Sequence, residues 1–180
     1  MRGANRTGQT DAGAEPQAHL PKKSFDRSTG SGHLAKRSDL ASSRAKHALP
    51  GEILVIDDEP HDAERLTATL RVLFGYQVPI RWAGSLGDAI DSLADGQPSL
   101  TFLDDILKPS ADAFMSIPEL RRAGYVGPII VVSGAVTQSR RTRLIAGGAS
   151  DVIHKDDLDS VRLAEAVDRA RAGDQPKRSP

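Results

Sequence analysis

Cysteine is absent from this 180-residue sequence, which excludes disulfides and thiolate metal sites and suits a reducing compartment. Long apolar runs are missing too. No stretch approaches the roughly 20 apolar residues of a membrane-spanning helix. The N-terminus has no apolar segment of the about seven residues that a secretory signal needs. The expectation is a cytoplasmic chain with no membrane insertion. Net charge is also lacking, since 24 Lys and Arg balance 24 Asp and Glu. The balance hides an uneven distribution: residues 1–50 hold nine Lys and Arg against four Asp and Glu, which leaves fifteen against twenty for residues 51–180.

Residues 1–50 contain neither Ile nor Val. A segment so poor in core-forming side chains cannot bury enough apolar surface to offset the entropy of ordering, so a disordered basic arm is expected over 1–50. Its Arg and Ser content gives only weak patterning for nucleic acid, and a solvated linker is the simpler reading, so direct nucleic-acid binding is not expected. With 38% hydrophobic residues, the remainder has material for one folded domain and hardly for two. That domain is expected over 51–172, followed by a flexible tail over 173–180.

From residue 52 onward, short apolar runs at 52–57, 78–83, 99–104, 128–133 and 151–155 alternate with amphipathic stretches at 61–74, 85–95, 116–123, 137–146 and 157–172. Ser85 with Asp88, and Ser116 with Pro118 and Glu119, read as helix starts. Gly75, Gly96, Gly124 and Gly147 or Gly148 stand where helices should stop. Five such β-α units predict a parallel sheet with helices on both faces. In that architecture function collects at the carboxyl ends of the strands. The first run, "ILVIDDEP", delivers Asp57, Asp58 and Glu59 there. Three adjacent acids at the end of a buried run must fan into solvent or share a cation. The third run ends in Asp104 and Asp105, the fourth in Ser133 and Gly134, and the fifth in Lys155. Singly, each has a dull explanation as a helix-cap acid, a turn residue or a surface lysine.

Taken in order, "ILVIDDEP", "SLTFLDDIL", "PIIVVSG" and "GASDVIHK" resemble the receiver domain of bacterial two-component response regulators, over about residues 52–172. The resemblance implies an α/β, flavodoxin-like (βα)5 doubly wound sheet in strand order 2-1-3-4-5. It further implies a phosphoacceptor aspartate at the end of the third strand. The strand register points to Asp104. The family's proline, four positions after the acceptor, points instead from Pro109 to Asp105, which is the second choice. Mg2+, a hard ion suited to carboxylate and carbonyl oxygens, would be held by Asp57, Asp58, Asp104 and the backbone carbonyl of Ile106, and a shared cation would explain the clustered acids. Ser133 matches the hydroxyl that bonds a phosphoryl oxygen, Gly134 leaves it room, and Lys155 matches the lysine that pairs with it.

Two departures bear on signalling. The family usually follows its lysine with proline, whereas Asp156 follows Lys155, and it usually has an aromatic switch residue where this chain has Val152. The stretch from Asp105 to Ser116, with Lys108 and Pro109 inside it, is expected to be a long and unusual loop. The leading expectation is a single-domain response regulator. It would take phosphate from a sensor histidine kinase or phosphotransfer protein onto Asp104 and signal to an unidentified output protein by phosphorylation-dependent contact, or pass the phosphate on in a relay. It would not be an enzyme beyond its own phosphorylation and dephosphorylation. The alternatives are a phosphorylation-independent receiver-like adaptor and a metal-dependent phosphatase with an aspartate nucleophile. The latter needs Asp-x-Asp, where this chain has Asp57 and Glu59.

Overall fold

A computed structural model describes residues 50–109 and 111–174. The arm expected over 1–50, apart from Pro50, and the tail beyond Asp174 lie outside the described residues. Five parallel strands form one sheet: β1 (Ile53–Ile56), β2 (Ile80–Ala83), β3 (Leu100–Asp104), β6 (Ile129–Ser133) and β7 (Asp151–His154). They lie in the order β2-β1-β3-β6-β7. Without the small hairpin β4 (Ile106–Leu107) and β5 (Ala111–Asp112), this is the expected order 2-1-3-4-5 and the flavodoxin-like fold. The helices are α1 (Pro60–Phe74), α2 (Leu86–Ser92), α3 (Ala113–Arg122), α4 (Gln138–Ala146) and α5 (Ser160–Asp174).

Side chains alternate across the sheet because a strand has a period of two. Ile53, Val55, Leu100, Phe102, Ile130, Val132 and Ile153 pack on one face with Leu66, Leu70 and Leu73 of α1 and Leu163 and Val167 of α5. Leu54, Ile56, Leu103, Ile129, Val131 and Val152 pack on the other with Ala89, Ile117, Leu120 and Leu144 of α2, α3 and α4. Each fully buried Leu or Ile contributes about 1.5–3 kcal/mol relative to exposure, so the alternation fixes the register strongly. It also decides which way the strand-end polar residues lean. Asp57, Asp104 and Lys155 continue the parity of the α1/α5 face. Asp105 and Ser133 continue that of the α3/α4 face.

The sequence reading needs correction in three places. Helix α3 begins at Ala113 rather than Ser116, because Asp112 caps it by accepting from the Met115 N–H (3.2 Å). That earlier start places Ala113, Ile117 and Leu120 on the buried side. Ser116 is buried inside the helix, where its hydroxyl donates to the Asp112 carbonyl (3.0 Å), and Pro118 is tolerated within it. The stretch from Asp105 to Ser116 is therefore not a loop throughout, since it contains the β4-β5 hairpin, with Ile106 opposite Asp112, and the first turn of α3. Finally, Lys155 opens a 3-10 turn over Lys155–Asp157, so α5 starts at Ser160, and it runs to Asp174 rather than 172. The Asp156 N–H donates to His154 Nδ1 (3.1 Å) in that turn, a bond a proline could not make.

Ser85 does cap α2, accepting from the Asp88 N–H (3.1 Å) and donating to its carboxylate (2.7 Å). Gly148, rather than Gly147, takes the left-handed conformation after α4, with φ 105°. No helix among the described residues is long and apolar enough to cross a membrane.

Candidate functional site

Asp57 is delivered just past β1, where its N–H extends the ladder to the Ala83 carbonyl (3.2 Å). It is buried, and its Oδ1 accepts from the Glu59 N–H (2.9 Å). Asp104 closes β3, is also buried, and accepts from the Ile106 N–H at Oδ2 (3.2 Å). Asp58 is half-buried beside them. One carboxylate oxygen from each of Asp57, Asp58 and Asp104 lies within 4.8 Å of the others.

Lys155 reaches into this cluster from the end of β7. Its ammonium lies 2.8 Å from Asp104 Oδ1, 2.7 Å from Asp62 Oδ2 and 3.3 Å from Asp57 Oδ2. Lys108, on the hairpin turn, pairs with Asp58 at 3.3 Å. Four carboxylates therefore meet two ammonium groups, and 4 − 2 leaves two negative charges uncompensated in this contact set. That is the charge of one divalent cation.

The titration of the groups follows from the same arrangement. Burial raises Asp57 above the ordinary carboxylate value; the Glu59 N–H opposes the shift and the neighbouring Asp104 charge adds to it. Asp104 is likewise raised by burial, against the lowering influence of Lys155. Asp62 is lowered by its hydrogen bond to Lys155. Burial works against the Lys155 charge, but the bonds to Asp104 and Asp62 outweigh it and hold the ammonium well above its ordinary range. A pair of raised, partly repelling carboxylates in a set with excess negative charge fits a hard cation. The oxygen donors of Asp57, Asp58 and Asp104 suit Mg2+.

Asp105 belongs to a different cluster. Its buried carboxylate accepts two parallel bonds from Arg140 of α4, Nε to Oδ2 at 2.6 Å and Nη2 to Oδ1 at 2.7 Å. The Ser133 hydroxyl donates to the same Oδ2 at 2.7 Å and accepts from the Ala135 N–H (3.2 Å). Residues of both clusters line one cleft of about 380 Å3: Asp104, Ile106, Gly134 and Lys155 together with Asp105, Ser133 and Arg140. A Cβ on Gly134 would project into open space.

Of the residues singled out in the sequence, the fold brings Asp57, Asp58, Asp104 and Lys155 together and sets Ser133 against Asp105 in the lining of the same cleft. Ile106 borders Asp104 through its N–H. Val152 is buried on the α3/α4 face, and Arg141 of α4 donates to its carbonyl. Glu59, the second acid of the phosphatase pattern, is exposed at the start of α1 and outside the three-acid cluster. Sequence reasoning missed Asp62, since an acid in the first turn of a helix is ordinary. It also missed Lys108 as a partner of Asp58. Trp82, the single tryptophan, was missed too: its indole N–H donates to the Asp57 carbonyl (2.9 Å).

Comparison with known proteins identifies the family and the fold. A sequence model of the response regulator receiver domain matches residues 53–168. Response regulator MprA of Mycobacterium sp. (strain KMS) is 31% identical over 124 residues, which cover 69% of this chain and 50% of that protein. MprA of Mycobacterium bovis (strain BCG / Pasteur 1173P2) is 31% identical over 120 residues, 67% of this chain and 49% of its own. The chain thus spans about half the length of the curated relatives it matches. Among solved structures, the signal receiver domain of the DNA binding response regulator protein (merR) from Colwellia psychrerythraea 34H superposes with a TM-score of 0.59 at 27% identity, covering 68% of this chain and 98% of that one. The receiver domain of the histidine kinase CKI1 from Arabidopsis thaliana, complexed with Mg2+ and BeF3-, has a TM-score of 0.59 at 21% identity, covering 75% and 95%, and at that identity it speaks to the fold alone.

Proposed function

Because this chain belongs to the response regulator receiver-domain family, matched over residues 53–168, we propose that it accepts a phosphoryl group on Asp104 from a sensor histidine kinase or phosphotransfer protein. A carboxylate oxygen of Asp104 attacks the phosphorus of a phosphohistidine. The P–N bond breaks as the P–O bond forms, and the freed imidazole takes up a proton. When bound by Asp57, Asp58, Asp104 and the Ile106 carbonyl, Mg2+ supplies positive charge against the phosphoryl oxygens. Lys155 supplies a second positive group, already held at the acceptor carboxylate, and it neutralises part of the charge that the modification adds. The Gly134 side of the cleft leaves space for the new group.

One observation carries this reading: Asp104 shares the three-carboxylate cluster and the Lys155 ammonium, while Asp105 is consumed by Arg140 and Ser133. The output is proposed to be a change in affinity for a partner protein in the cytoplasm, or onward transfer of the phosphate. Catalysis is limited to the domain's own phosphorylation and dephosphorylation.

Incubation with a small acyl phosphate and Mg2+, followed by peptide mass spectrometry, tests the proposal. A Mg2+-dependent phosphoryl adduct on Asp104 is expected. No adduct on any aspartate under those conditions would overturn it in favour of a phosphorylation-independent adaptor. Arg141, tied to the carbonyl of Val152 where the family usually has its aromatic switch, is the observation that keeps this adaptor reading in view.

A further inference from the structure

We propose that Asp105 and Arg140 form a latch that holds the Ser133 hydroxyl away from Asp104, making Asp105 a positioning residue for phosphoryl binding. The inference rests on Asp104 as the phosphoacceptor. Asp105 and Ser133 share the parity of the α3/α4 face, so the hydroxyl donates to Asp105 Oδ2 at 2.7 Å. To bond a phosphoryl oxygen on Asp104, Ser133 must give up that acceptor. Asp105 therefore competes with the phosphoryl group for one proton.

Arg140 makes this exchange feasible. A buried carboxylate left without partners is strongly disfavoured, and Asp105 has only 3% of its side chain exposed. The two parallel bonds from Arg140, at 2.6 and 2.7 Å, remain when Ser133 departs. Asp105 thus loses one bond of three and stays paired. Arg140 is itself braced, since its guanidinium stacks on the Phe114 ring of α3 at 5.3 Å while Arg143 covers the same ring at 4.7 Å. The latch consequently joins the turn after β3, the end of β6, α3 and α4.

Beryllofluoride, used as the phosphoryl mimic with Mg2+, provides the test, with Trp82 fluorescence as the readout because its indole N–H donates to the Asp57 carbonyl. The comparison comprises the wild type, Asp105→Asn, Ser133→Ala and the double variant. A hydrogen bond to a charged acceptor corresponds to about tenfold in affinity, so Asp105→Asn should bind the mimic about tenfold more tightly. Its affinity for Mg2+ alone should not change. In the Ser133→Ala background the Asp105→Asn gain should vanish. That separates release of the hydroxyl from simple removal of a nearby negative charge.

An equal gain with and without Ser133, or no gain, would overturn the latch and leave the phosphoacceptor reading standing. Binding by Asp105→Asn but not by the wild type supports the latch in its strongest form. Absence of binding in both would sink the phosphoacceptor reading and the latch with it. If Asp105→Asn does not fold, Asp105→Asn/Arg140→Gln, which keeps two amides able to bond each other, is judged by the same Ser133-dependence.

Discussion

The Lys155 ammonium lies 2.8 Å from Asp104 Oδ1. The same ammonium touches Asp57 and Asp62, so one cation serves three acids before any metal arrives. A buried ion pair is weak evidence for stability in itself. In this arrangement its consequence is chemical. The Asp104 carboxylate is oriented and partly neutralised, yet the acids as a set still carry excess negative charge.

Asp104→Asn should abolish phosphorylation by a small acyl phosphate while the protein remains folded, because the nucleophile is lost and Lys155 keeps Asp57 and Asp62 as partners. Asp105→Asn should retain most of the labelling. Mass spectrometry of the acyl-phosphate reaction decides between them. Exchange of the two results would move the acceptor to Asp105 and the register by one residue.

Mg2+ should stabilise the protein most near neutral pH. Asp57 and Asp104 have folded-state values raised above 3.8 by burial. The native state therefore binds their protons more readily than the unfolded chain, and their charge is destabilising at pH 7, relieved as pH falls through the raised values. Asp62, lowered by Lys155, works the other way, with stability present above the unfolded value and lost as pH falls through its folded one. Saturating Mg2+ at a hundred times its Kd should add about 2.7 kcal/mol. That gain should fade as the pH approaches the carboxylate range, as measured by thermal unfolding. Asp104→Asn should equal or exceed the wild type in stability without Mg2+ and lose most of the Mg2+ gain. A full Mg2+ gain in that variant would remove Asp104 from the metal site.

Lys155→Met should act on stability and on metal binding with opposite signs. Breaking a buried pair costs about 3–5 kcal/mol; with the Lys155 side chain 18% exposed, a loss of about 2 kcal/mol is expected in denaturant unfolding. Mg2+ should bind more tightly, since its competitor for Asp57 and Asp104 is gone. Weaker Mg2+ binding in Lys155→Met, titrated through Trp82 fluorescence, would contradict the competition.

Much of this site was legible because strand ends and strand parity are written in the pattern itself. The apolar alternation of "ILVI" and "LTFLD" places Asp57 and Asp104 on one side of the sheet. The same rule, applied to Ser133 and Asp105, would have paired them. What stayed hidden depended on longer reach. Arg140 stands 35 residues from Asp105, and Asp62, the unforeseen partner of Lys155, lies 93 residues from it. No local signal marks a helix arginine as the partner of Asp105 or a first-turn helix acid as the partner of Lys155. The start of α3 was hidden differently, since Asp112 and Ser116 are both sound caps and burial of Ala113 chose between them. The β4-β5 hairpin, two residues a side, is too short to show a periodicity.

Phosphorylation should rearrange the loops after β3 and β6 and leave β7 nearly still. Val152 is stiff at χ1, packed in the α3/α4 core and too small to sweep into space vacated by Ser133. Its strand is further pinned at both flanks: Arg141 of α4 bonds the Val152 carbonyl and Asp151, and Arg169 of α5 holds the other oxygen of Asp151 at 2.7 Å. Asp151 is buried, so releasing either arginine would leave a charge less well paired. The hairpin, with Ile106 and Lys108 exposed, and the stretch from Gly134 to Arg140 are held by the Asp105 contacts to Ser133 and Arg140, the Lys108–Asp58 pair and the Arg140–Phe114 contact, all of them close to the site of the added charge. Amide hydrogen exchange with and without beryllofluoride should therefore change over residues 105–116 and 134–141, with little change over 151–172. Altered protection in β7 and α5 alone, with both loops unaffected, would show that the signal leaves through strand β7 after all.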